Sequence, residues 1–313
     1  MDVWHSLLTL MKALRTLAAA AALNLPILTI AAPIQVLIVD GQNNHKWEFT
    51  TPVLKHALEQ SGAFEVKIST TPAKGAPISA WEAWKPKFRD FAVVVSNYNG
   101  QPWPEGVRAD FETYVRSGGG FVSVHAANNA FPEWKAYNEM IGVGGWGGRN
   151  EQSGPWLYVK DGKLYRDIRP GAGGAHGPQH EFVVEIQDSL HPITRGLPSR
   201  WLHCKDELYS RLRGPAENLQ ILATAKSDLT AEQEPNLMVI QHGQGRVMHT
   251  TLGHADYSML DRGFYEILER GVEWAATGQV VLTAALPADF PTEAKTSVVV
   301  LGGHPKQTPP PAK

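Results

Sequence analysis

The chain has 313 residues, of which 43% are hydrophobic and 19% charged, and its formal net charge is −2. This composition excludes a disordered chain, and without a long run of Lys or Arg it predicts no nucleic-acid partner and no anionic membrane surface. The single cysteine, Cys204, excludes an intrachain disulfide and a multi-cysteine metal site.

The N-terminal segment has the pattern of a secretory signal peptide. Lys12 and Arg15 precede an apolar run at residues 17–30 that ends in small residues before Pro33. The run is short and interrupted by an asparagine and a proline, so it does not predict a membrane span. We therefore expect residues 1–32 to be removed and the mature protein to be periplasmic or secreted. The alternative is a first helix of the fold.

Apolar runs alternate with helical stretches from Pro33 onward. The predicted strands are 34–39, 64–69, 91–95 and 121–124, and the predicted helices between them are 49–61 and 105–117, the first capped by Thr50 or Thr51. Such alternation is typical of parallel βαβ units with right-handed crossovers. The carboxyl ends of parallel strands gather functional groups at one edge of the sheet.

The regular pattern breaks at a glycine-rich insertion, about 142–178, which holds Trp146 and a predicted hairpin at 157–165. Further strands are predicted at 181–186, 206–212, 219–225, 237–241 and 246–251, with a last helix at 261–276. The main domain is thus expected at 33–278. The proline-rich extension, 279–313, is expected to wrap the surface or fray.

Three histidines, His45, His125 and His254, follow predicted parallel strands, so we expect them to meet at one sheet edge. His125 stands in GGGFVSVHAA, where a buried strand is followed by one polar and two small residues, the pattern of a nucleophile elbow. Imidazole is a poor acyl nucleophile there but a good general base or metal ligand. The alternative role of His125 is to cap the strand.

Further candidates lie in DELY and in the insertion. On a strand, Glu207 and Tyr209 face one side while Asp206 faces the other, so the first two could reach one site; a solvated charge pair is the alternative. A carboxylate there would raise histidine pKa values or complete a metal shell. His180 follows His176 by four residues, but Gly177 and Pro178 oppose the helix that a local metal site would need. Trp146 is a candidate for stacking on a sugar ring, with ordinary packing as the alternative.

Taken together, these pieces resemble the ThuA-like family, named for trehalose utilisation, over about 34–278. The resemblance rests on the first strand with His45, on GGGFVSVHAA and HPITRGLP, and on DELY and GRVMHTTLGH in this order. It implies an α/β fold, a flavodoxin-like or class I glutamine amidotransferase-like three-layer sandwich with a mostly parallel sheet. His125 stands where the amidotransferases carry their cysteine, and Cys204 lies away from any elbow, so glutaminase activity is not expected.

The family association with bacterial disaccharide catabolism, including 3-keto sugars, implies a sugar substrate. Our leading hypothesis is an exported enzyme that hydrolyses or eliminates across a glycoside or keto-sugar derivative. His125 and His254 would act as acid/base groups or bind Zn, Mn or Co, with Glu207 beside them as a catalytic or shell carboxylate. The predicted substrate contacts are His45, Tyr209, Asp206, His180 and Trp146. No nucleotide cofactor is expected. The alternatives are a non-catalytic sugar-binding protein and a thiol-independent amidohydrolase.

Overall fold

The computed structural model describes residues 32–304. The predicted signal segment therefore lies, apart from its last residue, outside the described part of the chain. The strands are β1 Ile34–Asp40, β2 Phe64–Thr70, β3 Val93–Ser96, β4 Gly120–Val124, β5 Trp156–Lys160, β6 Lys163–Asp167, β7 Ala175–His176, β8 His180–Ile186, β9 Arg200–Asp206, β10 Tyr209–Ser210, β11 Leu219–Lys226, β12 Gln233–His242 and β13 Gly245–Thr250. The helices are α1 Trp47–Glu59, α2 Ile78–Ala83, α3 Glu105–Arg116, α4 Lys135–Ile141, α5 Asp256–Met259 and α6 Arg262–Thr277.

One large sheet has the strand order β2-β1-β3-β4-β13-β12-β11-β8-β9, and the hairpin β5–β6 joins it through β12. The pairs from β2 to β13 are parallel, whereas those from β13 to β9 are antiparallel. The expectation of a mostly parallel sheet is therefore wrong, because the sheet is mixed. Two residues separate β12 from β13, and a connection that short permits only antiparallel pairing.

Helices cover both faces of the sheet because the central strands are apolar on both sides. In β1, Val36 and Ile38 enter one core with residues of α1 and α6, while Leu37 and Val39 enter a second core with residues of α3 and α4. Alternate side chains of a strand point to opposite faces, which explains the continuous apolar run IQVLIV.

Two helix boundaries differ from the sequence prediction. Helix α1 begins at Trp47, and Thr50 and Thr51 instead accept hydrogen bonds from the Asn97 side chain at 2.9 and 3.0 Å. Helix α6 begins after Asp261, whose carboxylate accepts the Phe264 N–H at 3.1 Å. Neither threonine is the cap that the sequence predicted.

The predicted strand at 206–212 is also wrong. The regular strand is β9, which ends at Asp206, and only the two-residue strand β10 follows. Strand β10 pairs with β7 from the insertion, placing His176 opposite Tyr209. The insertion is thereby attached to the segment that carries Glu207.

The described part of the C-terminal extension packs against the domain. The carboxylate of Glu273 in α6 accepts the backbone N–H groups of Val281, Leu282 and Thr283 at 2.7–2.9 Å. Phe290 and Val299 are buried in the same core as α6. Across residues 32–304, none of the helices combines the length and apolar character that a bilayer crossing requires.

Candidate functional site

Three histidines lie together at the carboxyl edge of the parallel strands. His125 follows β4 directly, His254 comes four residues after β13, and His45 lies in the loop after β1. The ring centroids are 5.0 Å apart for His45 and His125, 4.3 Å for His45 and His254, and 5.6 Å for His125 and His254. The structure therefore brings together three side chains that are up to 209 positions apart in the sequence.

Glu207 completes this group, which we call the edge cluster: His45, His125, Glu207 and His254. Glu207 Oε2 lies 2.9 Å from His254 Nδ1 and 3.8 Å from His125 Nε2. One nitrogen or oxygen from each of the four side chains lies within 4.8 Å of the others. Four ligand atoms at such separations can surround one cation.

His125 presents one ring nitrogen to the cluster because its other nitrogen is engaged. Its backbone has a φ of 45°, a left-handed conformation that places the side chain at a sharp turn after β4. The Nδ1–H donates to the Thr251 carbonyl oxygen at 2.6 Å, so Nε2 is the ring nitrogen that faces Glu207. Within residues 32–304, this buried Nε2 has no hydrogen-bond partner.

A buried carboxylate positions the other members of the cluster. Asp206 Oδ1 accepts the backbone N–H groups of Glu207 and His254 at 2.8 and 3.0 Å. Its Oδ2 accepts the N–H of Gly253 at 2.8 Å and that of the His203 ring at 2.9 Å. One carboxylate thus ties the segment before β10 to the loop after β13.

A second group of buried side chains contacts Asp206. His203 lies between two carboxylates, with Nε2 at Asp206 and Nδ1 3.2 Å from Asp261 Oδ1. Asp261 also accepts the backbone N–H groups of Cys204 and Phe264, both at 3.1 Å. We call His203, Cys204 and Asp261 the buried cluster; all three side chains are excluded from solvent.

Electrostatics favour the ligand forms of two members of the edge cluster, His45 and Glu207. Burial, and then the neighbouring His125 and His254, lowers the pKa of His45 to about 3, so its imidazole is neutral at neutral pH. Burial alone would raise the pKa of Glu207, but the imidazoles of His125 and His254 bring it well below its usual range. A neutral imidazole and an ionised carboxylate are the forms that bind metal.

The donor set fits a divalent metal ion. Three imidazole nitrogens and one carboxylate oxygen suit Zn, Mn or Co better than Ca or Mg, which prefer oxygen ligands. His125 Nε2 is buried without a hydrogen-bond partner in the described chain, whereas His254 Nδ1 pairs with Glu207 Oε2 at 2.9 Å. A buried nitrogen without a partner is costly unless an ion or ligand engages it.

A cavity of about 400 Å³ opens above the cluster. Trp146 and Tyr209 form an aromatic wall with ring centroids 4.7 Å apart, and the Tyr209 ring lies 4.2 Å from that of His125. His176 stands at the opening with Nε2 3.9 Å from Glu207 Oε2. Burial, reinforced by the charge of Glu207, raises the pKa of the Tyr209 phenol well above its usual value, so it remains a hydrogen-bond donor.

The predicted substrate contacts divide into two groups. His45, Tyr209 and Trp146 line the cavity beside Glu207. Asp206 does not, because it is fully buried and its carboxylate accepts four hydrogen bonds from other protein groups. His180 also lies elsewhere, with Nε2 3.9 Å from Asp228 in a separate small cavity. The structure thus corrects the placement of Asp206 and His180.

Sequence reasoning missed several cavity residues. Asn99 follows β3, so the strand-end rule that found the histidines would also have selected it; Asn99 donates to the Asn44 side chain at 2.7 Å. Asn129 follows the turn after His125. His176 had no local signal, because it reaches the cavity only through the pairing of β7 with β10.

Comparisons with known proteins agree with this architecture. The family model "ThuA: Trehalose utilisation" matches residues 35–275. A ThuA-like protein from Parabacteroides merdae has a similar crystal structure, with 45% sequence identity, a TM-score of 0.82, and coverage of 85% of this chain and 98% of that one. A ThuA-like protein from Bacteroides uniformis shares the fold at 18% identity and a TM-score of 0.53, covering 80% and 94%. A comparison with curated proteins gave no match.

Proposed function

The chain belongs to the ThuA trehalose-utilisation family, and from this premise we propose that it is a sugar-directed enzyme whose edge cluster holds a divalent metal. One observation carries the proposal: His125 Nε2 is buried without a hydrogen-bond partner among the described residues, beside an ionised Glu207 that pairs with His254 Nδ1 at 2.9 Å. The family name supplies the sugar class. The cavity above the cluster is large enough for a sugar unit.

The chain's own residues have distinct roles in this proposal. His45, His125, His254 and Glu207 would hold the ion. A bound Zn, Mn or Co ion would polarise a keto or hydroxyl oxygen of the sugar. His176 donates from Nδ1 to the Gly177 carbonyl at 2.8 Å, which leaves its Nε2 lone pair able to accept a proton at the cavity opening.

The remaining cavity residues would orient the substrate. The Tyr209 hydroxyl and the side-chain amides of Asn99 and Asn129 offer donors and acceptors for sugar hydroxyls. Trp146 offers an apolar ring face on the same wall. We propose hydrolysis or elimination of a glycoside or keto-sugar derivative, because both begin with proton transfer beside a polarised oxygen.

The first test is metal content by elemental analysis of the purified protein. We expect stoichiometric metal in the wild type and its loss in a His125→Ala/His254→Ala variant. Glu207→Gln should retain the fold and weaken metal binding at least ~10-fold, since it loses a charged ligand. A matched His56→Ala/His180→Ala variant removes two histidines outside the cluster and should keep its metal. A wild type that binds no divalent metal contradicts the metal proposal.

The second test is turnover of keto-glycosides and the parent glycosides by the metal-loaded protein. We expect product from the wild type and none from His125→Ala/His254→Ala. Sugar binding without product would assign the chain to non-catalytic sugar binding instead. Turnover of simple amides but of no glycoside would favour an amidohydrolase.

We also propose that the protein is exported, from the signal-peptide pattern of residues 1–32. N-terminal sequencing of the protein from a fractionated bacterial host tests this directly. A periplasmic product that begins near Pro33 is expected. A cytoplasmic product that retains residues 1–32 would contradict export.

A further inference from the structure

A second cavity, of about 350 Å³, lies in the glycine-rich insertion. It is bounded by the hairpin β5–β6 and by the segment that leads into β12. It shares no lining residue with the cavity above the edge cluster. Its volume falls within the usual range for small-molecule sites.

Two aromatic side chains held in place form part of its lining. Trp156 donates from Nε1 to the Ala172 carbonyl at 3.1 Å, and the Arg213 guanidinium lies 4.1 Å from its ring centroid. Tyr158 stacks on Tyr165 with centroids 5.4 Å apart and an interplanar angle of 1°. Trp156 and Tyr158 are both only half-buried, so their rings offer fixed apolar surface to a ligand.

Four charged side chains around these rings form two pairs, and the Arg211 guanidinium lies 5.9 Å from the Trp156 ring centroid. The Arg169 guanidinium makes three hydrogen bonds of 2.5–3.0 Å with the Asp167 carboxylate. Lys160 lies 3.7 Å from Glu232. A charged ligand would have to break such pairs, whereas hydroxyl groups can use the remaining lone pairs and N–H groups. The lining therefore favours a neutral polyhydroxyl ligand.

Glu234 gives the cavity a buried polar wall. Its side chain is 2% exposed, and it accepts the Thr230 hydroxyl at 2.8 Å and the Arg211 backbone N–H at 3.1 Å. These bonds fix the carboxyl group beside Trp156 and Leu157 in the lining. A fixed polar group next to fixed rings is the arrangement that orients a ligand with one apolar and one polar face.

The two cavities share a wall. The N–H of Gly174 donates to the Arg211 carbonyl at 2.8 Å, and the N–H of Trp146 donates to the Gly173 carbonyl at 2.7 Å. Trp146 lines the first cavity and Arg211 the second. The loop before β7 and the segment after β10 thus separate the two spaces.

We propose that this second cavity is a carbohydrate-binding site for one neutral sugar unit, separate from the edge cluster. The sugar's C–H face packs on Trp156 and Tyr158, and its hydroxyls bond to the Asp167–Arg169 pair and to Glu234. The inference takes the sugar class in common with the proposed function, but it requires neither metal nor catalysis at the edge cluster.

The test is calorimetric titration with neutral disaccharides (trehalose, maltose, cellobiose and lactose), using the His125→Ala/His254→Ala variant so that the first cavity is altered. At least one disaccharide is expected to bind this variant. Adding Tyr158→Ala should weaken that binding at least ~10-fold, a loss of about 1.4 kcal/mol. Tyr165→Ala is the matched control: it removes only the stacking partner of Tyr158, and Tyr165 does not line the cavity, so it should weaken binding less than Tyr158→Ala does.

A second variant distinguishes a loss of sugar binding from a failure to fold. Asp167→Asn/Arg169→Gln alters an ion pair in which the Arg169 side chain is 76% and the Asp167 side chain 9% exposed, and it should also weaken binding at least ~10-fold while the circular dichroism spectrum is unchanged. The proposal is overturned if the His125→Ala/His254→Ala variant binds none of the four disaccharides, or if Tyr165→Ala weakens binding as much as Tyr158→Ala. If the wild type itself contains no metal while the variant binds a disaccharide, the metal proposal is overturned and the second site stands.

Discussion

The edge cluster and the buried cluster contain similar ligand groups but differ in how many of those groups already have hydrogen-bond or ion-pair partners. In both, nitrogen, oxygen or sulfur atoms suited to a metal lie within 4.8 Å of one another. In the buried cluster, Asp261 accepts two backbone N–H groups and pairs with His203, whose other nitrogen bonds to Asp206. In the edge cluster, His125 Nε2 has no such partner among the described residues.

Proximity of ligand atoms therefore does not by itself identify a metal site. The informative quantity is the number of donor atoms that the fold leaves uncommitted, because each buried polar atom without a partner carries a desolvation cost. Asp206 joins the two regions: it takes one hydrogen bond from the buried cluster and gives the edge cluster its backbone positions. The buried cluster is thus structural support for the edge cluster.

The largest expected effect comes from breaking this link at Asp206. Asp206→Asn removes a buried charge beside His203 and puts an amide donor against N–H donors, so it should lower the free energy of unfolding by about 3–5 kcal/mol. Urea unfolding followed by circular dichroism measures the change.

Asp228→Asn is the matched control, since Asp228 also lies near a histidine but its side chain is 93% exposed. It should change stability by less than about 0.5 kcal/mol. Equal stability of Asp206→Asn and wild type would show that Asp206 does not hold the two regions together.

The same contrast explains what the sequence could predict. The parallel half of the sheet and the meeting of His45, His125 and His254 followed from buried runs and strand ends, which are local features. The direction of the strands in the antiparallel half of the sheet cannot be predicted from each apolar run alone. It depends on connections such as the turn after His242, whose Gly243 has a φ of 60°. Gly243 and Gln244 between two apolar runs are a two-residue hairpin signal that predicts this antiparallel pair.

The burial of individual side chains was the other property that residue spacing could not predict. The spacing in DELY predicted that Glu207 and Tyr209 reach one site, and both line the cavity, but it could not show that Asp206 is fully buried. Long-range pairing placed His176 at the opening, and no local pattern encodes that. The burial of a side chain and the pairing of strands depend on the whole fold, whereas hydrophobic periodicity depends only on residues that are close in the sequence.

An intermediate effect should appear in the pH dependence of stability. Burial alone would lower the pKa of His203, but the charge of Asp261 and hydrogen bonds with Asp206 and Asp261 raise it to about 10. The folded protein then binds one more proton than the unfolded chain between pH 6.5 and about 10. The stability due to His203 is fully present below pH 6.5 and falls as pH rises, by about 1.4 kcal/mol per pH unit.

Unfolding free energies measured from pH 7 to 9 test this dependence. His203→Asn should show a decline that is shallower by about that slope, whatever its absolute stability. His180→Asn, which changes a histidine whose side chain is 35% exposed, should keep the wild-type slope. Parallel curves for wild type and His203→Asn would mean that His203 is not held as a cation.

The smallest effect, and the sharpest separation of the two regions, is expected at Cys204. Its Sγ lies 3.4 Å from the Tyr257 carbonyl oxygen, and burial raises the pKa of the thiol well above its usual value, so it is not a ready thiolate ligand. Cys204→Ala should cost about 1 kcal/mol in unfolding free energy and leave the metal content unchanged. A loss of metal in Cys204→Ala, with the metal content of Glu207→Gln unchanged, would place the ion in the buried cluster. The ion would then bind side chains that already have hydrogen-bond partners and not the edge cluster, which is the opposite of what we propose.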